Sequence, residues 1–295
     1  MYNIMTQTKF QHIALIGKYQ SPNSRELLAA IAELLPRFGA HVFIEEESAQ
    51  DAGLEAKHPT LALTQIGKQC DLVIVAGGDG TMLRAARYLA SSGIPLVGIN
   101  QGRLGFITDI TPAVYREALT QILSGDYVQD ERHMMKAQVW RQNKEIFSAF
   151  ALNEVVINRG STSDMIEVRV EVGDYLVANL RADGVIMATP TGSTAYALSA
   201  NGPILSPGIK GWVLVPIAPH TLSNRPIVLP HDNTICMELI AGQQASVSFD
   251  NQSLDNLEHH DRITIKKAKQ KVRFLHPADW SYYETLRHKL RWYAE

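Results

Sequence analysis

The sequence predicts an α/β plus all-β fold. An N-terminal open parallel α/β domain is followed by a C-terminal antiparallel β domain, and a terminal helix packs back on the first. Three observations predict it. Up to about residue 123, short apolar runs alternate with segments of helical period, the signature of a parallel sheet with helices on its faces. Beyond Ser124-Gly125, apolar residues alternate singly with polar ones, as in antiparallel strands with one buried face. The last residues regain helical period.

In order along the chain, residues 12–16 (HIALI) form an apolar run that ends at Gly17 and reads as a buried strand. Asn23 and Glu26 have the spacing of a capping box and open a helix over 27–38. Residues 40–44 read as a second strand. Residues 71–76 (DLVIVA) are continuous and β-branched, as expected of a central parallel strand covered on both faces. Met82, Ala85, Ala86 and Leu89 then recur at helical spacing. Residues 94–99 form another strand, and Thr111-Pro112 starts a helix to about Leu123, with proline in its favoured first turn. This half is Rossmann-like in pattern.

In the second half, Val168, Val170 and Val172 share one strand face. Ile235, Met237 and Leu239 share another, as do Val247 with Phe249 and Ile263 with Ile265. Ser281 and Glu284 form a second capping-box pattern, after which Tyr283, Leu286, Leu290 and Tyr293 line one helix face. The expected domains are 1–125, an α/β phosphate-binding domain, and 126–275, a β-rich domain. Residues 276–295 form the returning helix.

Composition narrows the function. With 28 Lys plus Arg against 30 Asp plus Glu, the net charge is −2, without the basic excess that nucleic-acid binding requires. A small anionic ligand remains compatible, because backbone N–H groups can cradle phosphate. Cys70 and Cys236, far apart, lack metal-site spacing and read as reduced thiols. No secretion signal and no membrane-spanning run is expected, which makes a cytoplasmic protein the expectation.

The sharpest local signal is Gly77-Gly78-Asp79-Gly80-Thr81, where a parallel strand ends and a helix begins. Ligands bind at the carboxyl ends of such strands. Glycines allow close backbone approach to phosphate, and the following helix offers free N–H groups and a positive dipole end. A carboxylate beside a phosphate site is costly unless it accepts a proton or holds a metal; otherwise Asp79 is a helix cap. The same turn resembles that of diacylglycerol- and sphingosine-type lipid kinases and of 6-phosphofructokinases. The P-loop and protein-kinase motifs are missing.

Three further stretches narrow the choice: Leu152-Asn153-Glu154-Val155-Val156, Arg181-Ala182-Asp183-Gly184-Val185, and residues 189–203 (TPTGSTAYALSANGP). With GGDG and Gly102-Arg103-Leu104-Gly105-Phe106, the set closely resembles the bacterial NAD kinase family over almost the whole chain. That resemblance implies transfer of the terminal phosphoryl group of ATP to the adenosine ribose 2′-hydroxyl of NAD, giving NADP. It implies Asp79 as proton acceptor, with Gly80 beside it and Phe106 walling the pocket. Asn153 and Glu154 would hold the adenosine half, an amide pairing with adenine and a carboxylate with a vicinal diol. Asp183 would meet the nicotinamide end. Thr194, Ala195, Tyr196 and Ser199 would wrap the ligand, and Arg181 and Gln252 would add contacts.

Each residue has a plainer reading. Asn153-Glu154 could equally be an exposed turn, Tyr196 a packing residue, Arg181 half of a surface ion pair, and His220 structural. In two places the sequence departs from the pattern. Asp250-Asn251-Gln252 lacks a glycine between its outer residues, and Asp164 stands where a basic or imidazole side chain would suit a phosphate better. Phosphoryl transfer from a triphosphate leads us to expect a divalent cation, Mg²⁺ by preference, bridging it. A cleft is expected between the two domains, since GGDG lies in the first and the Asn153-Glu154, Asp183 and 189–203 stretches in the second. The resemblance implies a homo-oligomer, dimer or tetramer. A lipid kinase would want a basic amphipathic segment, which is missing. A dinucleotide sensor without turnover is the non-enzymatic alternative.

Overall fold

A computed structural model describes residues 8–102, 105–161, 164–250 and 252–292. They form two compact units. One holds the chain to Glu131 and again from Lys271; the other holds Arg132–Gln270.

The first unit opens with β1 (His12–Gly17), α1 (Pro22–Leu34), β2 (His41–Glu45), α2 (Glu46–Ala52), β3 (Thr60–Leu61) and α3 (Leu63–Gln69). It continues with β4 (Leu72–Ala76), α4 (Asp79–Leu89), β5 (Pro95–Ile99) and α5 (Tyr115–Leu123). The strands are parallel in the order β3-β2-β1-β4-β5. Every residue of β4 is buried, which explains its unbroken β-branched sequence. Ile13, Leu15, Ile74 and Val97 pack with Leu28 and Ile31 of α1 and with Leu119 and Ile122 of α5 in one core. A Cβ at Gly98 would stand 2.7 Å from Met82 Cε, so α4 lies against the face of β5 that a side chain would block.

The second unit is built from β6 (Tyr127–Arg141), β7 (Lys144–Ala151), β8 (Glu154–Asn158), β9 (Ile166–Val172), β10 (Tyr175–Ala182) and β11 (Gly184–Ala188). After the short α6 (Tyr196–Ser199) come β12 (Gly211–Ile217), β13 (Ile227–Pro230), β14 (Ile235–Ala241), β15 (Ser246–Phe249), β16 (Gln252–Leu254) and β17 (Arg262–Pro277). One sheet runs β10-β9-β14-β17, with β6 on β17 and β7 on β6; the other runs β13-β12-β11-β8-β15-β16. Val168, Val170, Ile235, Met237 and Ile263 of the first share a core with Val155, Ile157, Val185, Trp212 and Phe249 of the second, a β-sandwich. The alternation read in the sequence therefore sets the buried faces. In β8, β11 and β12 it is lost because Val156, Ile186 and Val213 bury the other face with Ala197 of α6.

The last part of β17 adds a parallel strand to the first unit, with Arg273 opposite Pro95 and Phe274 opposite Leu96. α7 (Tyr282–Leu290) follows in the same unit and shares a groove with Val114 and Ala118 at α5. The terminal helix thus returns to the parallel sheet, as its apolar period predicted.

Several local expectations need correction. The Asn23–Glu26 box does not cap α1, which begins at Pro22 with Ser21 as N-cap. Proline's fixed φ suits the first turn, and the Ser21 hydroxyl donates instead to Gln101 Oε1 at 3.2 Å. Ser281 is the N-cap of α7 but makes no side-chain capping bond. Thr111-Pro112 lies in a turn before α5, which starts at Tyr115. Tyr283 is 61% exposed while Leu286 is buried; Tyr293 lies outside the described residues. Both thiols are free. Burial, then Asp71, pushes Cys70 up to about 12, and burial likewise raises Cys236, so neither is a ready nucleophile.

Candidate active site

In the order β3-β2-β1-β4-β5 the chain reverses direction of growth between β1 and β4, where ligands of open α/β sheets sit. The carboxyl ends of β1, β4 and β5 there enclose a cavity of about 410 Å³, lined by Lys18, Gly78, Asp79, Asn100, Gly105 and Lys289 among others. Among the described residues its lining carries two lysines, Lys18 and Lys289, and one carboxylate, Asp79, a balance that suits an anion. Gly77 is required by packing, since a Cβ would meet Thr81 Oγ1 at 2.7 Å; Cβ atoms on Gly78 and Gly80 would meet nothing within 4 Å. The backbone of those two glycines is open to a ligand.

Asp79 is the first residue of α4, behind the N-cap Gly78, where the helix dipole favours its negative charge. Its carboxylate is not spent on capping. Oδ2 accepts from the Phe106 N–H at 2.8 Å. Oδ1 accepts from the N–H groups of Ile107 and Thr108, at 3.3 and 3.1 Å, and from the Thr108 hydroxyl at 2.7 Å. Gly105 passes so close that a Cβ would stand 2.0 Å from Asp79 Oδ1. Residues 105–108 are thus folded around this carboxylate. Phe106 is half-buried beside it, with Lys289 Nζ 5.6 Å from its ring centroid. Gly80 is exposed. Arg103 and Leu104 of the same motif lie outside the described residues.

A second carboxylate organises the other constellation. Asp250, 2% exposed, accepts from the N–H groups of Leu152, Asn153 and Glu154 at 2.5, 2.8 and 3.0 Å. It sits at φ 44°, a left-handed conformation that Asp tolerates, and Phe249 before it pairs with Gln252; Asn251, where the glycine was expected, lies outside the described residues. Thr189 ties the next motif to the same turn, donating its N–H to Asn153 O at 2.8 Å and its hydroxyl to Leu152 O at 2.5 Å.

Glu154 lies in this knot. Burial, then the neighbouring Asp250, raises its carboxyl to about 8 against a lowering bond from the Tyr196 backbone, and its Oε2 is buried without a partner. The expectation of a charged acceptor at Glu154 is corrected: near neutral pH it is a carboxylic acid that can donate as well as accept. It is not an exposed turn residue either.

Asn153, Glu154, Thr194, Ala195 and Tyr196 therefore come together, with Gln252 at the adjoining hairpin. Thr194 Oγ1 is turned back to Thr191 O at 3.1 Å. Tyr196 is 42% exposed and Ser199 exposed, so neither is a core residue. Asp183 and Arg181 lie elsewhere. In the β8–β11 ladder Ala188 faces Glu154 and Gly184 faces Asn158, so Asp183 is at the far end of β11, roughly 16 Å along the strand. It pairs with Arg159 at 3.0 Å. Arg181 is exposed on β10, and its carbonyl takes the His220 N–H. Asp164 and His220 are exposed.

Sequence reasoning missed Lys18, Asn100, Thr108, Lys289, Asp250 and Arg132. Arg132, 3% exposed, holds Thr191 Oγ1 at 3.1 Å. Asn100 and Thr108, only eight residues apart and flanking the 102–106 motif, were a local signal in principle; Arg132 meets Thr191 59 residues away, and Asp250 meets its partners 96 to 98 away.

The family model for the ATP-NAD kinase N-terminal domain matches residues 13–127, and that for the C-terminal domain matches residues 152–277. The NAD kinase of Polaromonas naphthalenivorans is 56% identical over 97% of this chain and 98% of its own length. That of Methylibium petroleiphilum is 53% identical over 97% and 96%. Among solved structures, yeast NADH kinase complexed with NADH shares the fold, with TM-score 0.87 at 21% identity over 99% of this chain and 95% of that one. An Archaeoglobus fulgidus NAD kinase in complex with ATP has TM-score 0.75 at 25% identity over 95% and 99%. Matched across both halves and over nearly its full length, this chain belongs to the ATP-NAD kinase family.

Proposed function

We propose that this chain transfers the terminal phosphoryl group of ATP to the 2′-hydroxyl of the adenosine ribose of NAD, giving NADP, with Asp79 as proton acceptor. The observation that carries the reading is an ionisable carboxylate fixed by backbone donors at the mouth of a lysine-lined cavity, in a family of NAD kinases. Phosphoryl transfer asks for in-line placement and charge neutralisation more than for covalent chemistry. Lys18 and Lys289 would neutralise phosphate oxygens, and the open backbone of Gly78 and Gly80 would approach them. Asn153, the neutral Glu154 and the Thr194–Tyr196 backbone would bind adenosine. Asp183, a strand-length away, would meet the nicotinamide end, which suits a two-headed ligand. Phe106, Ser199, Arg181 and Gln252 complete the proposed contact set.

Among the described residues there is no group of three His, Cys, Asp or Glu that could hold a metal on its own. Asp79, which lines the cavity, would be the carboxylate to hold Mg²⁺ brought in with the triphosphate, since Mg²⁺ keeps waters and takes one or two carboxylates plus substrate phosphates. When bound it supplies charge neutralisation on the transferring group.

We read the enzyme as a cytoplasmic homo-oligomer. No described helix is long and apolar enough to cross a membrane. The edge strand β13 exposes Ile227 and Val228, at 43% and 45%, and Leu222 is 89% exposed nearby in sequence. An uncovered apolar edge is a pairing surface, and light scattering would give the subunit number. The activity is tested by incubating the protein with NAD, ATP and Mg²⁺ and detecting NADP with an NADP-specific reductase, Asp79→Asn alongside. NADP from the wild type alone is the expected result; none from either protein, with polyphosphate also tried, overturns the reading.

A further inference from the structure

Asn100 and Thr108 are 4% and 0% exposed, and Asn100 lines the cavity. Asn100 Oδ1 accepts the Gly102 N–H at 2.6 Å. Its orientation is thereby settled, and its Nδ2 donates to Thr108 Oγ1 at 2.9 Å. Having accepted there, the Thr108 hydroxyl sends its own hydrogen to Asp79 Oδ1 at 2.7 Å. An amide, a hydroxyl and a carboxylate are linked in one direction, each link fixing the next.

The link also distinguishes the two oxygens of Asp79. Each oxygen of a carboxylate has about two acceptor positions. Oδ1 takes three donors, from Thr108 twice and from Ile107, whereas Oδ2 takes one, from Phe106. The open acceptor position is on Oδ2, and Gly105 puts no side chain beside the carboxylate.

We infer that Asn100 and Thr108 are positioning residues that hold Asp79 so that its Oδ2 is the atom receiving the 2′-hydroxyl proton. The inference rests on the reading of Asp79 as proton acceptor. In the step, the ribose 2′-oxygen forms a bond to the γ-phosphorus of ATP. The bond from that phosphorus to the bridging oxygen breaks, and ADP leaves with the electron pair. The hydroxyl proton passes to Oδ2. Thr108 is fully buried and acts through Asp79.

The test compares kcat and the KM for NAD in wild type, Thr108→Val, Thr108→Ser, Asp79→Asn and the double variant Asp79→Asn/Thr108→Val. Thr108→Val keeps the shape and deletes the hydroxyl; it should lower kcat about tenfold or more with KM changed less than about twofold. Thr108→Ser should recover kcat to within about threefold, because the hydroxyl returns. In the Asp79→Asn background the valine should change the residual rate by less than about twofold, since the bond it removes has lost its charged acceptor. Thr108→Ala reads the same bond if the valine protein does not fold. Equal loss in Thr108→Ser and Thr108→Val would mean that packing matters rather than the hydroxyl, and overturns the inference. Unchanged kcat in Thr108→Val beside an inactive Asp79→Asn also overturns it, while leaving Asp79 as acceptor. Full turnover in Asp79→Asn overturns the reading of Asp79 itself.

Discussion

Gly192 lies so close to Asn153 that a Cβ on it would stand 2.1 Å from the Asn153 carbonyl oxygen and 2.7 Å from its Cα. The two sequence motifs of the second unit are thus in backbone contact, and neither can move without the other. Gly192→Ala is expected to cost about 1–3 kcal/mol of stability through overpacking and to weaken NAD binding, read by thermal melting and by titration calorimetry. An alanine protein with wild-type affinity would separate the motifs.

Gly105 plays the matching part in the first unit. With only 2.0 Å between its would-be Cβ and Asp79 Oδ1, Gly105→Ala must push the carboxylate or the 105–108 loop aside. The expected result is a kcat at least about a hundredfold lower, the scale of losing a positioned acid or base, with the protein still folded by circular dichroism.

Lys18 and Lys289 line the cavity from two distant parts of the chain. Lys289→Ala should raise the KM for ATP about tenfold, equivalent to about 1.4 kcal/mol, and leave the KM for NAD within about twofold. A loss confined to NAD would assign the cavity to the other substrate.

Glu154 gives stability a pH dependence of known sign. Its carboxyl is raised from 4.5 to about 8 by burial and by Asp250, so the folded state holds a proton that the unfolded state releases. Its contribution is fully present below pH 4.5 and is lost as pH rises through about 8. Denaturant melts should show a fall in stability over that window which Glu154→Gln flattens. The same variant should bind NAD nearly as well as wild type at pH 7, because the amide keeps both a donor and an acceptor.

His276 adds a second titration of the same sign at a separate place. It is buried between Asp109, at 2.9 Å, and Asp130, and stacks on Trp280 at 3.9 Å. Burial opposes its charge, but the two carboxylates prevail and raise it above 6.5. This contribution is present below the ordinary histidine range and is lost as pH rises through the raised value. His276→Ala, which takes the imidazole away from the buried Asp109, should destabilise by about 3–5 kcal/mol at pH 6 and by less at pH 9.

The parallel sheet, the antiparallel strands and the terminal helix were legible because each burial pattern is local: β4 buried on both faces, β9 and β14 on one; that the antiparallel strands stack as a sandwich was not. The glycine turn and the 189–203 stretch were legible because unusual residues stand together. What organises them was not. Asp79 meets its partners 27 to 29 residues away, and Asp250 meets its partners 96 to 98 away; no local period carries such pairings. The α1 start was misread because Asn23 and Pro22 both signal a beginning, and proline prevailed. Glu154 was misread as a charged acceptor because its type does not disclose that Asp250 would be folded against it.

The passage of the chain out of the first unit at Glu131 and back at Lys271 has a consequence for biosynthesis. When a ribosome has made the first 131 residues, β5 is an open sheet margin, the partners of Pro95 and Leu96 do not yet exist, and the Lys289 wall of the cavity is missing. The intervening sandwich must be translated before that margin can be sealed. A nascent or prematurely stopped chain would then present a raw β edge to chaperones and proteases, and ability to bind nucleotide would arrive among the last steps of synthesis. The cavity beside Asp79 thereby gains its Lys289 wall only once the terminal helix has been made.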